Sequence, residues 1–192
     1  MNRVLSDLEH TADPIKGSKF RASVLVVDSF DAAREALAGV RAADPDATHH
    51  CWAFRLADGG VRCSDDGEPS GTAGRPILAR LEGRDLVDVL VVVTRWYGGT
   101  KLGAGGLVRA YGRTAGDALD RAEIEEWVPM TQLVLTCSYA HAGAVDALVK
   151  EGEVVYAAEV TRTLTLASSE VDALVQALQD ATAGGIRFEV RG

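Results

Sequence analysis

Two stretches of the chain gather the residue types that do chemistry. The first, SDDGEPSGTAGRPIL at 64–78, sets Asp65, Asp66 and Glu68 among three glycines, two prolines and Arg75. Grouped carboxylates suit two tasks, holding a hard cation such as Mg²⁺ or general acid–base catalysis. They also suit plain turns, because Asp bonds its own backbone and a Gly or Pro lies close to each acid here. No serine–histidine–aspartate or cysteine–histidine set surrounds them in the sequence, so no residue is assigned a catalytic role. The expectation is that these acids pair with Arg75, Arg95 or Lys101 and hold two loops together.

The second stretch, VVVTRWYGGTKLGAGGLVRAYG at 91–112, runs an apolar strand into Gly98, Gly99, Gly103, Gly105 and Gly106 and then into a helix. Glycines allow positive φ and let a ligand approach the backbone. Free N–H groups ahead of a helix N-terminus form a concavity for anions. Arg95 and Lys101 would add charge. The spacing is neither that of a P-loop, since no GK[ST] follows, nor GxGxxG of the dinucleotide type. The alternative is a tight crossover whose glycines serve packing only. The expected anion or nucleic-acid site is Arg75, Arg95, Tyr97, Gly98, Gly99, Lys101, Gly103, Gly105, Gly106, Arg109 and Arg113, with Asp65, Asp66 and Glu68 as its supporting wall. Tyr97 and Trp96 are candidates for stacking on bases, and Trp52 reads as core. His49, His50 and Cys51 do not make a metal site, because neighbours in a strand face opposite ways and two ligands do not complete a tetrahedron. No metal and no cofactor are expected.

Charge narrows the partner. The 192-residue chain is −8 overall, which disfavours general coating of nucleic acid. Between Ser70 and Ala115 seven basic residues oppose three acidic ones, so that segment is +4 and the remainder −12. A basic patch on an acidic body fits a specific anion or RNA site, and no DNA sequence specificity is expected. The longest apolar run, Val89–Val93, is too short for a membrane span. The first residues lack a signal-peptide core, and three scattered cysteines imply reduced thiols, so a cytoplasmic location is expected.

The elements that must position these residues read as follows. The first dozen residues form a loose arm. Strands are expected at 20–29, 49–58 and 86–96, with a hairpin turn at 58–60. Helices are expected within 29–44, capped by Ser29 or Asp31, over 76–83, and over 105–124. The pattern changes at 125–132. Beyond it the order is βαββαβ in about sixty residues, with the last helix capped by Ser168 or Ser169. This order gives a ferredoxin-like plait of four antiparallel strands under two helices. The fold class is α+β, with one domain over 1–126 and a second over 129–192. The second is expected to carry no ligand site, since eight acids outnumber its four basic residues.

IKGSKF (15–20), DPDATHHC (44–51) and the two stretches quoted above together resemble the IMPACT family, in particular its bacterial YigZ-like branch. The motifs cover residues 15 to about 120. One departure is Arg95-Trp96-Tyr97, where many members have two tyrosines. The resemblance implies an N-terminal α/β sandwich like domain IV of elongation factor G, and a C-terminal plait like those of the same factor. It implies a translation-linked regulatory protein facing RNA or the ribosome, and it supplies no catalytic residues. Eukaryotic relatives make their regulatory contact through an extra N-terminal domain that this sequence does not contain. The alternative function is an enzyme acting on a phosphorylated small molecule or nucleotide, with the glycine loop as cradle and Asp65, Asp66 or Glu68 as metal ligand or base.

Overall fold

The structure is a computed structural model and describes residues 1–191. The chain forms two compact units, one ending at Trp127 and the next beginning at Val128.

The first unit is built on a five-stranded antiparallel sheet. Its strands are β2 (Leu8–Thr11), β3 (Lys19–Val26), β4 (His49–Arg55), β5 (Val61–Ser64) and β6 (Val89–Trp96), in the order β2-β3-β6-β4-β5. The β6 sequence VLVVVTRW is nearly all apolar because both of its faces are covered, and seven of its eight residues are buried. On one face Phe20, Ala22, Val24, Cys51, Ala53, Val91 and Val93 pack against α2 (Gly74–Glu82) and α3 (Ala104–Leu119). The Tyr111 ring meets Phe20 edge-on at 5.4 Å. On the other face Phe54, Leu90 and Val92 pack against α1 (Phe30–Ala43). Ser29 caps α1, its Oγ accepting from Ala32 N at 3.2 Å, which decides between the two expected caps.

The N-terminal arm is not loose. Residues Asn2–Val4 form β1, which pairs with β7 (Ile124–Glu126), and β2 adds an edge to the main sheet. The same pairing shortens α3. The helix formers after Leu119 turn instead into β7, because Val4 opposite Ile124 offers a ladder and a partner. Helix α2 begins at Gly74, two residues earlier than its proline suggested.

The second unit contains β8 (Met130–Cys137), α4 (Tyr139–Leu148), β9 (Glu153–Tyr156), β10 (Val160–Ala167), α5 (Val171–Ala181) and β11 (Ile186–Arg191). All pairs are antiparallel, in the order β11-β8-β10-β9, which is the βαββαβ plait. Leu133, Leu135, Cys137 and Leu164 on one face of the sheet meet Val145 of α4 and Leu178 of α5. Neither serine caps α5. Ser168 opens a short 3₁₀ turn, and its Oγ donates to Pro129 O at 3.0 Å, tying that turn to the segment ahead of β8.

Candidate anion and nucleic-acid interface

The acidic loop between β5 and α2 is shaped by its own carboxylates. Asp65 Oδ1 accepts from Ala73 N at 2.9 Å and Gly74 N at 2.8 Å, and Oδ2 accepts from Gly71 N at 2.8 Å. Ala73 at the N-cap has no side-chain acceptor, so Asp65 supplies the cap from eight residues upstream. Burial alone would raise the Asp65 carboxyl. The backbone donors of Gly71, Gly74 and Ala73, helped by Arg75, outweigh it and hold the group below the usual carboxylate range. Asp66 sits at φ 43°, and its two oxygens meet Arg41 at 2.6 Å and His50 N at 2.7 Å. Gly74 must lack a Cβ, which would lie 2.8 Å from the Ser64 backbone.

Glu68 points inward. Its Oε1 accepts from Arg95 Nη1 and, at 2.8 Å, from the Tyr111 hydroxyl. Arg95 is only 4% exposed. Its second nitrogen donates to Ser18 Oγ at 3.1 Å, and its guanidinium lies over Phe20 and Tyr97. Glu68 and Arg95 thus join the acidic loop to β6, and the contact engages the Arg95 charge below the surface. Cys51 donates to Asp65 O at 3.0 Å, and burial pushes its thiol up to about 12. His49 Nδ1 stands 2.8 Å from Asp66 O, so His49 and Cys51 do face one way, toward this loop.

The glycines after β6 divide into two kinds. A Cβ on Gly98 would lie 1.9 Å from the carbonyl carbon of Gly17, so two backbones cross there and glycine is required by packing. Gly99 (φ 82°) and Gly103 (φ 74°) take the left-handed conformation with open space around them. Gly103 is the N-cap of α3. It offers no side-chain acceptor, and the first turn carries no acid, so the helix presents an uncompensated positive end.

Beside that end a groove of about 490 Å³ runs between α3 and the tight turn Ile15–Ser18. Its floor is apolar, from Ile15, Leu102 and Ala110, and its rim holds Lys16, Arg80, Arg109 and Arg113. No carboxylate lines it among the described residues. Arg80 is fixed by its Nε donating to Gly112 O at 3.0 Å, and its side chain lies along Gly112 and Gly116. Arg113 makes a loose exposed pair with Asp117 at 3.4 Å. Of the residues expected at the site, Gly106, Arg109 and Arg113 line the groove, and Gly105 lies 3.6 Å from the Arg109 guanidinium, measured from the Cβ it lacks. Lys101 is exposed in the loop leading to α3, outside the lining. Arg75 stands at the start of α2, close enough to Asp65 and Cys63 to act on their charges, and Tyr97 lines a different groove. Lys16 and Arg80 were not assigned to the site from sequence. A glycine pair four residues apart on α3, Gly112 and Gly116, is the signal that a long side chain lies flat across that helix.

The comparisons with known proteins agree with these motifs. The model of the Impact N-terminal domain matches residues 16–119. The chain is 36% identical to the IMPACT family member YigZ of Escherichia coli (strain K12) over 185 residues, covering 92% of this chain and 91% of that protein. It is 38% identical over 181 residues to an IMPACT family member of Thermus thermophilus, covering 91% and 99%. A crystal structure of a hypothetical protein aligns with a TM-score of 0.67 at 33% identity, over 97% of this chain and 95% of that one. The motifs at 44–51, 64–78 and 91–112 fall within residues 16–119, as does the motif at 15–20 from Lys16 onward, and the chain belongs to the IMPACT family.

Proposed function

We propose that this protein binds RNA, free or within the ribosome, and that the phosphate backbone lies in the groove beside the N-terminus of α3. The observation that carries the reading is the lining of that groove, four cations and no acid among the described residues, on a chain of net charge −8. A general electrostatic affinity for nucleic acid would need a basic body. Here the charge is concentrated where an uncapped helix end adds its own positive pole. The resemblance to a translation-linked family makes RNA the phosphate-bearing partner of choice. The three loop carboxylates are engaged in folding contacts with Arg41, Arg95 and backbone N–H groups, which speaks against a catalytic role for them.

The test is RNA affinity at three salt concentrations for the wild type and for Lys101→Ala, Arg109→Ala and Gly105→Val. Each lost cation should lower the slope of log K against log salt by about 0.7 for single-stranded RNA. Gly105→Val should weaken binding without changing that slope by a full cation. Unchanged affinity and slope in Arg109→Ala remove the groove from the interface. Stabilisation by a nucleotide with Mg²⁺, with none by RNA, would point to the enzyme alternative.

A further inference from the structure

A second groove, also of about 490 Å³, opens on the other side of the same turn. The turn is tight. Ile15 and Ser18 exchange both backbone hydrogen bonds, at 2.9 and 3.0 Å, and Lys16 and Gly17 both have positive φ. Lys16 lines the basic groove and Gly17 lines this one, so the two sites are separated by neighbouring residues. Their chemistry differs. This groove brings together Trp96 and Tyr97, the cations Lys19 and Arg21, and the carboxylates Asp44 and Asp46. The cations are balanced by the acids, and Arg21 is already paired with Asp44, so the groove does not attract a phosphate as the first one does. It offers aromatic surface instead. Tyr97 is 46% exposed, although its backbone is held by Tyr97 N donating to Thr48 Oγ1 at 3.0 Å. The Arg95 guanidinium lies 5.4 Å from the Tyr97 ring centre, which steadies a ring that is otherwise solvated.

Behind Arg21, the sheet holds a row of polar side chains that are not fully paired. Arg21, Thr94 and His50 are direct cross-strand partners in one row of the sheet. Each has a buried polar atom without a partner among the described residues: Arg21 Nε, Thr94 Oγ1 and His50 Nε2.

We infer that this groove is a base-stacking subsite. It takes one unpaired base of a single-stranded RNA whose backbone crosses the Ile15–Ser18 turn from the basic groove, the base lying on Tyr97 and Trp96 and its polar edge facing the exposed Asp46. The inference rests on the RNA reading of the basic groove. It makes the ligand single-stranded, because bases in a duplex cannot reach an aromatic face.

The test compares wild type, Tyr97→Ala, Tyr97→Phe and Arg109→Ala for binding to a single-stranded RNA oligonucleotide, the same backbone with abasic positions, and a blunt RNA duplex. Tyr97→Ala should weaken single-stranded RNA by about 5- to 150-fold, the range of one stacked base. It should leave abasic RNA and duplex binding as in the wild type, and Tyr97→Phe should restore the loss. Arg109→Ala should weaken all three ligands together. If Tyr97→Ala binds single-stranded RNA as tightly as wild type while Arg109→Ala does not, the subsite is refuted and the basic groove stands. If Tyr97→Ala weakens abasic and duplex RNA equally, the ring serves the backbone or the fold, and the subsite is again refuted. If wild type binds no RNA, both readings fall.

Discussion

Glu68→Ala should strongly destabilise the first unit. The side chains of Glu68 and Arg95 are 4% and 5% exposed, so the pair is shielded from water. Removing the carboxylate leaves the guanidinium buried with only Ser18 as a side-chain acceptor. Stripping one partner from a buried ion pair costs about 3–5 kcal/mol. The Tyr111 hydroxyl, on a fully buried side chain, loses its acceptor as well, a penalty of about 1–3 kcal/mol. Both groups bond the same oxygen, so the two costs are coupled and do not simply add. A loss of about 4 kcal/mol or more is expected, against a typical domain stability of about 5–15 kcal/mol. Glu68→Gln keeps an acceptor for Tyr111 and should lose less. Glu68→Leu combined with Arg95→Met removes both charges and should recover most of the loss, because apolar replacements of buried pairs are tolerated. Urea unfolding followed by tryptophan fluorescence is the assay, since Trp52, Trp96 and Trp127 all precede Val128 and report on the first unit. A cost below about 1 kcal/mol for Glu68→Ala, the value of an exposed pair, would mean that the pair is not shielded from water. A double variant no more stable than Glu68→Ala would mean that the unpaired guanidinium is not the source of the loss.

Two further outcomes follow from the same loop. The Asp65 carboxyl is held below the ordinary value of about 3.9, so it adds stability above that pH, and the contribution is lost as pH falls through the lower folded value. Asp65→Asn should lower the melting temperature at neutral pH and flatten its fall below about pH 4, read from melting curves across the acid range. Of the three free cysteines, Cys63 is half-buried while Cys51 and Cys137 are buried, and burial raises all three thiols, Cys51 to about 12. A thiol reagent at mildly alkaline pH should therefore modify Cys63 first in the native protein, with Cys51 reacting only after denaturation.

The plait was legible in the sequence because each of its elements carries its own periodicity and neighbours its partner in the chain. Only its serine cap was misread, since Ser168 bonds a residue ahead of β8 that no local rule points to. The strands β1 and β2 were not legible. They are three and four residues long with few apolar positions, and β1 pairs with residues more than a hundred positions away. A loose arm is what such a segment looks like until its partner is placed.

The site divides in the same way. Arg95 looked like a surface cation beside a glycine loop because arginines are seldom fully buried. Its position carried the opposite signal. It continues the buried run Val89–Thr94, and strand alternation puts it on the face of Val91 and Val93, which is core. An arginine there must bring a carboxylate inside with it, and Glu68 in the acidic loop is the one that comes. The five glycines likewise joined two physical causes under one pattern. Gly98 is consumed by its crossing with Gly17, eighty-one residues earlier in the chain, and no local reading could tell this from a ligand cradle. Gly99 and Gly103 have positive φ with nothing within reach of an added Cβ, and there the backbone is bent without being filled. Space left open by a bent backbone, an uncapped helix end and four cations with no carboxylate in the lining coincide, among the described residues, on the α3 side of the Ile15–Ser18 turn. The proposed anion site rests on that coincidence rather than on the glycine count.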